Sequence, residues 1–67
     1  MVTLTKMNNS LITVNEDLIE TIEETPDTVI TFTTGKKLIV KENIQEIVSM
    51  INKFKKDIYS NKHKNFS

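Results

Sequence analysis

The chain holds one proline and one glycine, Pro26 and Gly35, and they bracket its most strongly β-forming stretch. Residues 28–33 read Thr-Val-Ile-Thr-Phe-Thr, β-branched side chains and a phenylalanine that suit a pleated, half-buried surface. A turn former at each end limits this stretch to a short strand that reverses direction twice. Pro26-Asp27 reads as the middle of a β-turn, with proline presetting φ at the second position and aspartate bonding the backbone ahead. Thr34-Gly35 reads as a two-residue hairpin turn, glycine supplying the positive φ. Residues 37–41 alternate Lys-Leu-Ile-Val-Lys and form the returning strand. A β-hairpin organises the chain.

The remaining elements follow from pattern. Residues 2–7 alternate as a strand, Asn8-Asn9 is suited to a tight hairpin turn, and residues 11–14 are the partner strand. Asn15 is placed to cap a single helical turn, with Glu16 and Asp17 favoured in its first turn. Residues 18–24 read as a third strand with imperfect alternation; a helix over residues 17–24 is the competing reading. Asn43-Ile-Gln-Glu46 has the form of a capping box, and Ile44, Ile47, Val48, Ile51, Phe54 and Ile58 lie on one helical stripe. Lys55 falls on the same stripe, its stem on apolar surface and its charge in water. Residues 61–67 lack periodicity and read as a frayed tail after a single domain over residues 1–60. The expected fold is α+β: five short antiparallel strands, then one C-terminal amphipathic helix. Val29-Ile30, Leu38-Ile39-Val40 and Leu11-Ile12 put apolar groups on both sheet faces. Either the sheet curls into a small barrel or its second face packs on another copy.

Size sharpens that choice. A chain of 67 residues buries only about 60% of its unfolded surface. With no cysteine, neither disulfides nor thiolate metal sites can reinforce it, so a homo-oligomer is expected. No apolar run approaches the length of a membrane span and the N-terminus lacks a signal-peptide pattern, so the expected location is the cytoplasm. Charge is balanced overall but not along the chain. Residues 1–34 hold one lysine against six carboxylates, a net of −5, and residues 35–67 hold eight lysines against three, a net of +5. Such a molecule can pair an acidic face with a basic one, or simply carry two solvated surfaces.

No enzyme motif is present. The lone histidine, His63, lies in the tail; Glu20, Glu23 and Glu24 form an acidic group without the glycine turn of a calcium loop; one glycine cannot build a phosphate-binding loop. No cofactor or metal is expected. Lys36, Lys37, Lys41, Lys53, Lys55, Lys56, Lys62 and Lys64 could meet nucleic acid, but arginine is absent and Phe32 and Phe54 read as core, so the composition argues against it. The best candidate for a recognition loop is the acidic turn Glu23, Glu24, Thr25, Pro26, Asp27 and Thr28, whose threonines, proline and aspartate also suffice to shape a turn. Ile58-Tyr59 at the helix end is a second possible contact, for a partner or a copy of the chain.

Several of these residues fall in one wider pattern. Asn15-x-Asp17-Leu18-Ile19-Glu20 is followed by Ile22-Glu23-x-Thr25-Pro26-Asp27-Thr28-Val29-Ile30-Thr31-x-Thr33-x-Gly35-Lys36-Lys37, then by Val40-Lys41-Glu42 entering an amphipathic helix. The pattern begins at Val2-x-Leu4-Thr5, runs to about Ile51, and resembles the FlbD/SwrD family of small flagellar, swarming-motility proteins. That family usually has Asn-Gly where this chain has Asn8-Asn9 and again where it has Thr34-Gly35, often proline at Glu16, and serine as the helix cap in place of Asn43. All four departures conserve turn or cap chemistry. The resemblance implies a cytoplasmic, non-enzymatic accessory of flagellar motility, stationed at the flagellar base. It would bind a motor or stator protein and affect motor power. The family supplies no catalytic residues to carry over. The rival reading is a small RNA-binding regulator of flagellar gene expression.

Overall fold

A computed structural model describes residues 1–53. Five antiparallel strands precede one helix, in the order β1 (Val2–Thr5), β2 (Leu11–Val14), a 3₁₀ turn (Glu16–Leu18), β3 (Ile19–Glu24), β4 (Thr28–Phe32) and β5 (Lys37–Val40). Helix α1 begins at residue 44 and continues to residue 53, the last described. The strands form two sheets, β1-β2 and β3-β4-β5, so the architecture is α+β. The competing helix over residues 17–24 is confined to the 3₁₀ turn, where the Asn15 side chain accepts the Asp17 N–H at 3.0 Å.

The sheet does not close into a barrel. The two ladders meet at one isolated bridge, Lys6 with Val40, reinforced by the Lys41 N–H donating to the Thr5 carbonyl at 2.9 Å. Beside that bridge the Glu42 carboxylate lies along β1. It accepts the Thr5 N–H at 2.9 and 3.1 Å and the Thr5 hydroxyl at 2.8 Å. Partial burial pushes the Glu42 carboxyl up, but the Thr5 amide, the Thr5 hydroxyl and its own amide together push it down further, below the ordinary carboxylate value.

Strand alternation builds the core. Val2 pairs with Val14 and Leu4 with Ile12 on the inner face of the first sheet. Ile22, Ile30 and Leu38 form an inner row across the second. Val2, Leu4, Val14, Ile30, Val40 and Ile47 make one buried cluster, with Ile12, Ile19, Ile22, Phe32, Leu38, Met50 and Ile51 packed around it. The imperfect alternation of β3 has a specific cause. Ile19 opposes Phe32 while Thr21 opposes Thr31, so Glu20 is an extra residue and the strand bulges there. The bulge turns both Ile19 and Ile22 toward the core, which strict alternation forbids.

Three expected features are corrected. The first strand ends at Thr5, because Lys6 to Ser10 is a loop closed by the Lys6 N–H on the Ser10 carbonyl (2.8 Å) and the Asn9 N–H on the Lys6 carbonyl (2.9 Å). The Gly35 turn is likewise not a two-residue turn. The Phe32 N–H donates to Lys36 and the Gly35 N–H to Phe32, both at 2.8 Å, leaving three loop residues. The helical stripe is rotated: Ile47 is wholly buried, and Met50 packs on the core in place of Val48, which is 42% exposed. Phe54, Lys55, Ile58, Tyr59, His63 and the tail over residues 61–67 lie outside the described residues.

Candidate partner-binding site

The acidic turn splits into structural and free parts. The Thr25–Pro26 peptide is cis, and the Thr25 N–H reaches the Asp27 carbonyl at 3.2 Å, so the bend closes over residues 25–27 rather than around a central Pro26-Asp27 pair. Thr28 is 4% exposed and faces inward opposite Val40. The Glu24 carboxylate accepts the Ile44 N–H at 2.8 Å, one of the amide groups that a helix start leaves unpaired. The Asn43 side chain takes the Glu46 N–H at 2.8 Å, and Glu46 reaches back to the Asn43 N–H at 3.3 Å. Glu24 therefore belongs to the helix start as much as to the turn. Glu23, Thr25, Pro26 and Asp27 remain on the surface. The shallow cleft beside them, about 250 Å³, carries Lys41 as well as Glu24 and Asp27, so its charge is mixed.

A second concavity carries one sign of charge. An open groove of about 500 Å³ lies between the first hairpin and the β4–β5 turn. Its floor is apolar: Ile12 and Val14 from β2, Leu18 from the 3₁₀ turn, Phe32 from β4 and Leu38 from β5. Its rim is Lys6, Lys36 and Lys37, with Thr34, and no carboxylate lines it. Nothing in the sequence flagged this site, because its parts come from both halves of the chain. Lys6 is the single lysine of the acidic half, brought beside Lys36 and Lys37 of the basic half. The fold thus mixes what the linear charge division separates: Glu24 sits at the basic half's helix, Lys6 at the basic hairpin.

Leu18 is the most exposed of the groove's apolar lining residues. The Thr33 N–H donates to its carbonyl at 2.8 Å, fixing the 3₁₀ turn against β4, while its side chain is 46% exposed. On the far face of the second sheet, Val29 pairs with Ile39, and Ile39 is 45% exposed. With Leu11 on the outer face of the first sheet, 71% exposed, this is the part of the expected second apolar face that the fold leaves open.

Among the described residues no helix is long and apolar enough to cross a membrane. No curated protein and no solved structure matches the chain. A family model described as flagellar and swarming motility proteins matches residues 1–59, nearly the whole sequence, and on that match the chain belongs to the FlbD family.

Proposed function

We propose that this protein is a non-enzymatic accessory of flagellar motility that acts from the cytoplasm, at the flagellar base, by binding a protein of the motor, with stator power output as the quantity it changes. The observation that carries the reading is the family match over residues 1–59. The surface chemistry supports it: a concave apolar groove and an exposed acidic turn are features of a molecule that binds. Self-association belongs to the same reading, through the open Val29 and Ile39 face. Sedimentation at micromolar concentration checks it, and a strict monomer would remove it.

The test is to delete the gene, count filaments per cell and record swimming speed as viscosity rises. The expected result is normal filament number with speed collapsing under load. Missing filaments would overturn the motor reading. The convergence of Lys6, Lys36 and Lys37 favours one second reading, RNA binding, for which filter-binding affinity should fall steeply with salt. For the acidic turn, Glu23→Lys with Asp27→Lys is the clean charge reversal. Adding Glu24→Lys would place an ammonium at the helix N-terminus and disturb the fold as well.

A further inference from the structure

We propose that the groove between the first hairpin and the β4–β5 turn docks an acidic, amphipathic segment of the partner protein, apolar side chains on the floor and carboxylates against the lysine rim. The proposal rests on the reading that this chain works by binding another protein. The occupant's chemistry follows from the walls. Leu18, Phe32 and Leu38 offer only apolar surface, so the entering groups must be apolar. Lys6, Lys36 and Lys37 have no ion-pair partner among the described residues, and three like charges around one concavity attract negative charge and repel positive. Their stems extend the apolar wall while the ammonium groups stay in water at the edge. A ligand with an apolar stripe flanked by Glu or Asp satisfies both zones at once.

Other occupants fit less well. The chain's own acidic strand β3 exposes Glu20, Thr21 and Glu23, while Ile19 and Ile22 are half-buried and packed on the core. It brings charge but no projecting apolar groups. Residues 54–67 carry Lys55, Lys56, Lys62 and Lys64 against Asp57 alone, the same sign as the rim. Nucleic acid would supply the charge, but among the described residues Phe32 is the single aromatic side chain lining the groove, too little for a stacking platform.

The experiment titrates the isotope-labelled full chain with two designed helical peptides, one with leucines on one face and glutamates on the other, the second with lysines replacing the glutamates. The acidic peptide should shift the amide signals of Leu18, Phe32, Leu38, Lys36 and Lys37. The lysine peptide should bind at least about tenfold more weakly. The double variant Lys36→Glu, Lys37→Glu, both exposed positions, should reverse that preference. Equal binding of the two peptides, or shifts confined to residues outside the groove, would overturn the proposal. So would groove shifts that appear on concentrating the protein alone, which would mean a second copy. Tighter binding to phosphatidylglycerol vesicles or to single-stranded RNA than to the acidic peptide would overturn it in favour of a lipid or nucleic-acid ligand. In cells, the double variant should fail to restore motility to the deletion strain. Full restoration, with the deletion strain still failing under load, would sink the groove and leave the motor reading standing. A deletion strain that swims normally under load would sink the motor reading whatever the groove binds.

Discussion

The loop at residues 6–10 and the loop at residues 32–36 share one hydrogen-bond scheme. In each, the first residue's N–H meets the fifth residue's carbonyl and its carbonyl takes the fourth residue's N–H. In each, the fourth residue has positive φ, Asn9 at 72° and Gly35 at 90°. The backbone demand is the same and the residues that meet it differ. Gly35 meets it without steric cost and makes no side-chain contact. Asn9 accepts the cost of a side chain there and uses it, its Oδ1 taking the Lys41 ammonium just past β5. Asn8 adds to the same loop by accepting the Ser10 N–H (3.0 Å) and hydroxyl (2.6 Å). The second hairpin is secured as part of a three-stranded sheet, whereas the first is a two-stranded ribbon that needs ties to the rest.

Core truncation gives the largest effect and the strongest challenge to that contrast. Leu4 and Ile30 are both wholly buried, one in each sheet. Leu4→Ala and Ile30→Ala should each cost about 2–5 kcal/mol, and in a domain with roughly 3–5 kcal/mol to lose each should unfold the whole molecule. Circular dichroism with hydrogen exchange checks this. Exchange protection surviving in β3–β5 of the Leu4→Ala protein would mean that the first hairpin opens alone.

Glu42→Gln comes next and tests the main tie of the first hairpin. Loss of the charge-assisted bonds to Thr5 should cost about 1–2 kcal/mol in urea denaturation at neutral pH. The folded-state pKa of Glu42 is depressed, so its contribution is complete above the unfolded carboxylate value and disappears as pH falls through the lower folded value. The acid limb of the stability profile should therefore be shallower in Glu42→Gln than in the parent.

The two loop positions give smaller effects. A Cβ at Gly35 would meet nothing within 4 Å, so Gly35→Ala carries only the cost of its positive φ, about 1–2 kcal/mol. Gly35→Asn should recover most of that loss. Asn9→Gly removes strain and the Lys41 contact together. It should stabilise by less than about 0.5 kcal/mol, and the gain should grow in the Lys41→Ala background, where there is no contact left to lose.

Much of this architecture was legible in the sequence, and the reasons for the exceptions are local. Alternation and turn residues identified all five strands, and Asn15 and Asn43 marked the starts of the two helical segments, because these signals act within a few residues. The Glu20 bulge was visible only as poor alternation, since its cause is the demand that Ile19 and Ile22 share one core. Loop length was misjudged because Asn or Gly at positive φ is compatible with both two- and three-residue loops. The helix stripe was centred too far toward Val48, because periodicity counts apolar residues and Met50 is adaptable enough to pack where the sheet needs it. The family pattern was legible because it is carried by turns and caps. The lysine-rimmed groove was not, as it joins Lys6 to Lys36 and Lys37 across the fold. Nor was the second use of Glu24, whose helix partner lies 20 positions away.

The segment after β5 has a consequence for the order in which the molecule is made. Val40 bridges to Lys6, Lys41 and Glu42 hold Thr5, Asn43 starts the helix, and Ile44 binds Glu24. The Thr5–Glu42 bond spans 37 positions, and only after it can the Ile44–Glu24 bond and the packing of Ile47 on the core become available as the chain leaves the ribosome. Until this segment emerges, the first hairpin lacks its ties to the end of β5 and to the helix, and a two-stranded ribbon is marginal in water on its own. A release or cleavage before residue 42 thus yields a chain without the Glu42 tie, the helix cap and the buried Ile47, and residues 40–47 complete the molecule during synthesis.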